Sequence, residues 1–179
     1  MKSIVFQLFC CVVIAGGLMG CGGSSETVRA AGMDMPAWAM AQPPLCGVGI
    51  QKYRGNVGMA KTAAEGKARA DLSRQMETKV RDMIKQYNQE GGTADGDFSE
   101  EQSTNVSLSL SKQTLNGAVP TKAKIMGDNY YALVCLKPGI LEDAINQMKQ
   151  LGAAQRKALA RRAAKAQAEL KEAMESYDD

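Results

Sequence analysis

Residues 44–52, PLCGVGIQK, and residues 56–91, NVGMAKTAAEGKARADLSRQMETKVRDMIKQYNQEG, decide how this chain folds. In the longer stretch, apolar side chains recur at Val57, Ala60, Ala64, Ala68, Leu72, Met76, Val80, Met83, Ile84 and Tyr87. That spacing lines one continuous face of a helix. Glu65, Lys67, Arg69, Asp71, Arg74 and Lys79 lie mostly off it. Asn56 is a suitable cap for a helix starting at Val57, and Gly91-Gly92 stops it. The apolar face begins with alanines and ends with larger residues, so the helix should approach a sheet closely at first and then leave a wider gap. In the shorter stretch, residues 45–50 read as a buried strand whose glycines, Gly47 and Gly49, imply close approach of another backbone. Gly47-Val48-Gly49 is not a dinucleotide fingerprint, because Lys52 stands where the third glycine belongs and no strand precedes it.

Downstream, residues 91–103 are polar and acidic. Asp95, Asp97, Ser99 and Glu101 alternate like calcium-loop ligands, but Glu100 replaces the required glycine and Val106 the bidentate glutamate, so a solvated loop is expected. Val106-Ser107-Leu108-Ser109-Leu110 alternates with period two and predicts a half-buried strand. Asn116-Gly117 marks a turn. Lys122–Met126 and Tyr130–Leu136 predict a hairpin around Gly127-Asp128-Asn129, ended by Pro138-Gly139. From Ile140 a second long helix is expected to run almost to the end, loosened at Gly152. The expected class is therefore α+β: one strand, a long helix, about three antiparallel strands, and a long C-terminal helix extending from the domain. Leu159, Ala163, Ala166, Leu170, Ala173 and Tyr177 are spaced like a heptad seam, with a basic first half and a mostly acidic second half. Two readings stand: a solvated helix projecting alone, or a self-association arm.

Upstream, Pro36-Ala37-Trp38 carries the single tryptophan, expected to plug the domain's own core, and Pro43-Pro44 excludes helix just after it. Residues 22–35 are small and polar and predict a flexible tether. The chain starts with one basic residue, Lys2, followed by an apolar stretch from Ile4 to Leu18. That stretch is too short for a mature membrane helix, which needs roughly 20 residues. Basic start, apolar core and small residues at the cut form an export signal. Leu18-Met19-Gly20-Cys21 resembles the lipobox of bacterial lipoproteins, Met19 being less usual than a small residue there. The resemblance implies cleavage before Cys21 and lipid on Cys21. Bacterial lipoproteins carry three acyl chains at this position, and two or more chains make a stable anchor. Gly22 is not the aspartate that resembles an inner-membrane retention signal, so the expected location is the outer membrane, facing the periplasm. The expected layout is a signal peptide over 1–20, a tether over 21–35, an α+β domain over 36–151 and an Ala-rich charged helix over 152–179.

Lysine and arginine number 22 against 19 acidic residues, one of the basic residues being Lys2 in the leader, so the mature chain is near neutral and no nucleic-acid binder is expected. There is no histidine. That removes the commonest general base and any Ser-His or Cys-His pair. Of five cysteines, Cys10 and Cys11 leave with the signal and Cys21 is acylated, which leaves Cys46 and Cys135. Two cysteines without histidine make no ordinary structural zinc site. They are read first as small buried apolar residues; a disulfide, allowed in an exported compartment, requires their two strands to be neighbours. Glu100 and Glu101 are a carboxylate pair read as solvated surface. No catalytic, cofactor or metal site is expected.

In order, Pro36-Ala37-Trp38, Gly47-Val48-Gly49, Ala63 to Leu72, Leu115-Asn116-Gly117 and Tyr130 to Val134 resemble the Lpp-twenty family of bacterial outer-membrane lipoproteins, a family similar to flagellar assembly lipoprotein P and to the amino-terminal domain of flagellar assembly protein T. The likeness covers roughly residues 36–150, with Gly66 a mild departure. It implies a small α+β domain of a ring-assembling kind and a non-enzymatic scaffold role in the envelope, in some members a ring or disc around the flagellar motor. Implied partners are further copies of the chain and flagellar or other envelope proteins. The alternative is a periplasmic binding or adaptor module for peptidoglycan, polysaccharide or a transport machine. An enzyme with an unfamiliar site is a third reading.

Overall fold

The structure, a computed structural model, describes residues 27–30, 33–91 and 95–177. Its elements are β1 (Thr27–Ala30), β2 (Met33–Pro36), α1 (Ala37–Met40), β3 (Cys46–Lys52), α2 (Val57–Gln89), α3 (Glu100–Leu115), β4 (Ala118–Met126), β5 (Asn129–Leu136), α4 (Ile140–Gln147) and α5 (Ala153–Glu175). The fold is α+β, with a strand, a long helix, a three-stranded antiparallel sheet and a long C-terminal helix.

α2 begins where Asn56 Oδ1 accepts from the Met59 amide at 3.0 Å, and it ends before Gly91, whose φ of +87° suits glycine. Every residue of its expected apolar face is buried except Val57 at the first turn. Gly47 and Gly49 seat this helix on β3. A Cβ on Gly47 would lie 2.0 Å from the Ala68 carbonyl oxygen, and one on Gly49 would lie 1.9 Å from that of Ala64. The alanines of the helix meet the glycines of the strand at the narrow end, and Met76, Val80 and Ile84 fill the wider space beyond.

The sheet order is β3-β5-β4, so β5 is central and buried almost throughout. β4 and β5 form the expected hairpin, turning at Gly127-Asp128, with a bulge near Thr121. The register of β3 on β5 sets Cys46 opposite Cys135 with their Cα atoms 4.0 Å apart, and the two are joined by a disulfide. Of the two readings left open for these cysteines, buried thiols or a bridge between neighbouring strands, the bridge is the one formed. The Leu136 amide donates to the Leu45 carbonyl, so the next pair along falls at a non-hydrogen-bonded position, where opposed side chains come closest.

The expected strand at 106–110 is instead the middle of α3. Ser99 and Gln102 form a reciprocal capping box at its start. Its buried stripe is Val106, Ser107, Leu110, Ser111 and Thr114, a helical spacing hidden because three of the five are hydroxyl residues. Their hydroxyls are satisfied close by: Ser107 donates to the Ser103 carbonyl, Thr114 to that of Leu110, and Ser111 to that of Ser73 on α2. Small side chains here let the two helices pack closely.

The expected single C-terminal helix is two, α4 and α5, with a break at 148–152 held by Arg156 Nη1, which donates to the carbonyls of Met148 and Leu151. Asp95, expected in a solvated loop, reaches across to cap α5, accepting from the amides of Ala154 at 2.6 Å and Gln155 at 3.2 Å. A carboxylate at a helix N-terminus also meets the favourable end of its dipole. Asp95→Ala is expected to lower stability by about 1 kcal/mol in a urea melt; an unchanged midpoint would show that this cap contributes nothing.

α5 runs antiparallel to α2, tied by Arg162 to Glu90 at 2.5 Å and by Lys79 to Glu169 at 3.7 Å. Leu159, Ala163, Ala166 and Leu170 are buried in the main core, and Ala173 and Tyr177 are half-buried. The heptad-like seam is therefore satisfied within the chain, and neither a lone projecting helix nor an arm offering that seam to another copy describes it. Part of the expected tether is also structured: β1 and β2 pair antiparallel, and α1 touches both. Trp38 is buried in the core, as expected.

Candidate functional site

Cys21, the expected lipidation site, lies outside the described residues, as does the expected signal peptide. Among the described residues, no helix is long and apolar enough to cross a membrane.

The carboxylates do not converge. Glu100 and Glu101 are exposed in the first turn of α3, Asp95 turns to α5, and Ser99 caps α3. Among the described residues no cluster of three histidine, cysteine, aspartate or glutamate side chains could hold a metal ion. Cys46 and Cys135 are spent in the disulfide.

A highly connected polar group is Asp71, on the side of α2 that overhangs β3. Its carboxylate accepts from the Gln42 amide at 2.9 Å, the Val48 backbone amide at 3.2 Å, the Gln75 amide at 2.9 Å and Arg74 at 3.1 Å. β3 is an edge strand, and its outward groups fall at Cys46, Val48 and Ile50. Gln42 donates to the Cys46 carbonyl and Lys67 to that of Ile50. Together with Asp71 they cover the free edge, which would otherwise invite pairing with another strand. Sequence spacing put Asp71, Arg74 and Gln75 on neighbouring turns, but only the packing of α2 on β3 reveals their partner. A shallow groove of about 390 Å³ runs beside Asp71, Arg74 and Leu45. Because Asp71 is already satisfied there, the groove reads as structural.

Two larger open grooves flank the far half of α2. One, of about 560 Å³, lies against α3 beside Asn88, Phe98 and Ser103. The other, of about 550 Å³, lies against α5 and is lined by Lys157, Arg161, Arg162 and Lys165, with Glu90 the carboxylate among them. These basic residues were legible as the first half of the C-terminal helix; that they wall a groove follows only from α5 folding back on α2. Polar and charged side chains line both grooves.

No known protein family and no curated protein matches this chain.

Proposed function

We propose that this chain is a non-enzymatic lipoprotein of the bacterial outer envelope, anchored by lipid on Cys21, facing the periplasm and acting as a scaffold. The observation that carries the reading is the lipobox-like Leu18-Met19-Gly20-Cys21. The Cys46–Cys135 disulfide supports it, because such bonds persist in exported proteins and are rare in reducing compartments. The resemblance to the Lpp-twenty family extends the proposal to a ring or disc subunit, around the flagellar motor or elsewhere in the envelope, with envelope proteins or further copies as partners. With the C-terminal seam turned inward, such assembly must use other faces of the domain. One observation favours the second reading, an adaptor for peptidoglycan, polysaccharide or a transport machine: the basic groove between α2 and α5, suited to an anionic partner.

Two measurements test this. Intact mass of the protein purified from membranes should show a chain starting at Cys21 and carrying acyl groups; Cys21→Ser should lose that mass. Chemical cross-linking of the lipidated protein in cells should give a ladder of homo-oligomers. A chain that begins elsewhere without acyl mass sinks the anchor. A monomer at native density removes the scaffold in favour of the adaptor.

A further inference from the structure

Among the described residues six large apolar side chains stand exposed, and four of them sit at one end: Ile50 (39%), Val57 (45%), Met59 (71%) and Ile125 (44%). The topology brings them to this end from three elements, Ile50 on the sheet face away from α2 and Ile125 on the face that α2 covers. β3 runs towards this end and α2 starts back from it, since Gly47 faces Ala68 and Gly49 faces Ala64. With about 3.3 Å per residue in a strand and about 1.5 Å in a helix, Lys52 lies about 10 Å beyond Gly49 and Val57 about 10 Å beyond Ala64. Both therefore reach the same level. Met59 lies about 3 Å back on α2, and Ile50 about 7 Å back on β3. Ile125 pairs with Tyr130, which pairs with Gln51, so it is one residue from the rim. The two loops that close this end are tied to each other, the Tyr53 amide donating to the Asp128 carbonyl at 2.6 Å.

The charges at this rim are mainly positive. Lys52, Arg54 and Lys61 are exposed, Lys61 at 3.9 Å from Glu65, and Asp128 is the exposed acid of the hairpin turn. Apolar side chains within about 7 Å of one rim, interspersed with cations, match the depth and charge of a bilayer interface, where apolar groups enter some 5–10 Å and cations meet anionic headgroups. We infer that this end of the domain, led by Met59, Val57 and Ile125 with Lys52 and Arg54, docks on an anionic phospholipid surface. The inference rests on the proposed lipid anchor for its occupant. The six steps along the chain from Cys21 to Thr27 span at most about 20 Å, so an anchored domain cannot leave the vicinity of its bilayer. Docking by the rim would then fix its orientation.

The test uses the mature chain without lipid, residues 22–179, exported behind a cleavable signal so that the disulfide forms. It is sedimented with vesicles of phosphatidylglycerol and phosphatidylethanolamine, and with vesicles of phosphatidylcholine alone. Binding is expected to the first and to be weaker on the second. Met59→Asp and Val57→Asp should each lower it about tenfold, the loss of one buried apolar side chain. Leu108→Asp, at an exposed apolar residue on α3 away from this end, should leave it unchanged. Absence of binding overturns the inference. So does equal loss in Leu108→Asp, or a dimer in solution that Met59→Asp dissolves without any vesicle binding, which would assign the rim to a second copy. Because this assay needs no acyl group, its failure is separate from failure of the anchor, which intact mass reads.

Discussion

Gly49→Ala is expected to cost at least about 3–5 kcal/mol, a large part of the stability of a domain this size. The added Cβ would stand 1.9 Å from the Ala64 carbonyl oxygen and 2.6 Å from the Ala68 amide nitrogen. Both are backbone atoms inside a helical turn, so neither can swing aside as a side chain would. α2 would have to lift from the sheet, and the same movement would loosen Leu72 over Gly47 and the Asp71 bond to Val48. Close packing transmits such a shift rather than absorbing it. The control is Gly66→Ala, on α2 itself but facing open space. There alanine removes a helix-interior glycine and should stabilise by up to about 1 kcal/mol. Denaturant melts of the two variants should move in opposite directions. A Gly49→Ala midpoint close to wild type would show that α2 does not sit on β3 in this way.

Breaking the Cys46–Cys135 bond should be nearly as severe. The two residues are 89 apart in sequence, and both are buried. Closing a loop of that length removes about 4–5 kcal/mol of entropy from the unfolded chain in the chain-entropy account, with values of about 2–5 kcal/mol typical for a native bond. The double variant Cys46→Ala with Cys135→Ala should therefore melt at a clearly lower urea concentration, with the slope of the transition changed because the unfolded state is no longer tethered. Adding reductant to the wild type should reproduce the shift, and adding it to the double variant should do nothing. If reductant leaves the wild-type midpoint in place, the bond contributes nothing to stability or is not formed in the purified protein, and the disulfide's support for the proposed oxidising compartment is lost.

The candidate site was legible in unequal parts. The proposed lipidation of Cys21 is a matter of sequence throughout, since the lipobox-like string Leu18-Met19-Gly20-Cys21 is contiguous. The basic wall at Lys157, Arg161, Arg162 and Lys165 was visible as residues but not as a groove. The apolar rim was not visible at all, because Ile50, Val57, Met59 and Ile125 come from three elements up to 75 positions apart and look, one by one, like ordinary members of amphipathic elements.

What the sequence determined by itself is what local periodicity and paired small residues can encode. The face of α2 follows from spacing, its start from Asn56, its tight seat from glycines on β3 matched to alanines on the helix, and the β4–β5 hairpin from two strand-like runs about Gly127-Asp128. Tertiary structure decided the rest, wherever a side chain's meaning depends on a partner distant in the chain. Serines of α3 look solvent-facing until their hydroxyls find nearby carbonyls, so Leu108 reads as buried with Val106 and Leu110, whereas it is exposed and Ser107 is buried in its place. Cys46 and Cys135 become a bond only through the register of β3 on β5. Asp95 looks like a loop acid until α5 presents its first amides. The seam from Leu159 to Leu170 is apolar whichever partner covers it; the core of the same chain covers it, because the short break at 148–152 turns α5 back along that core and an intramolecular partner is always at hand.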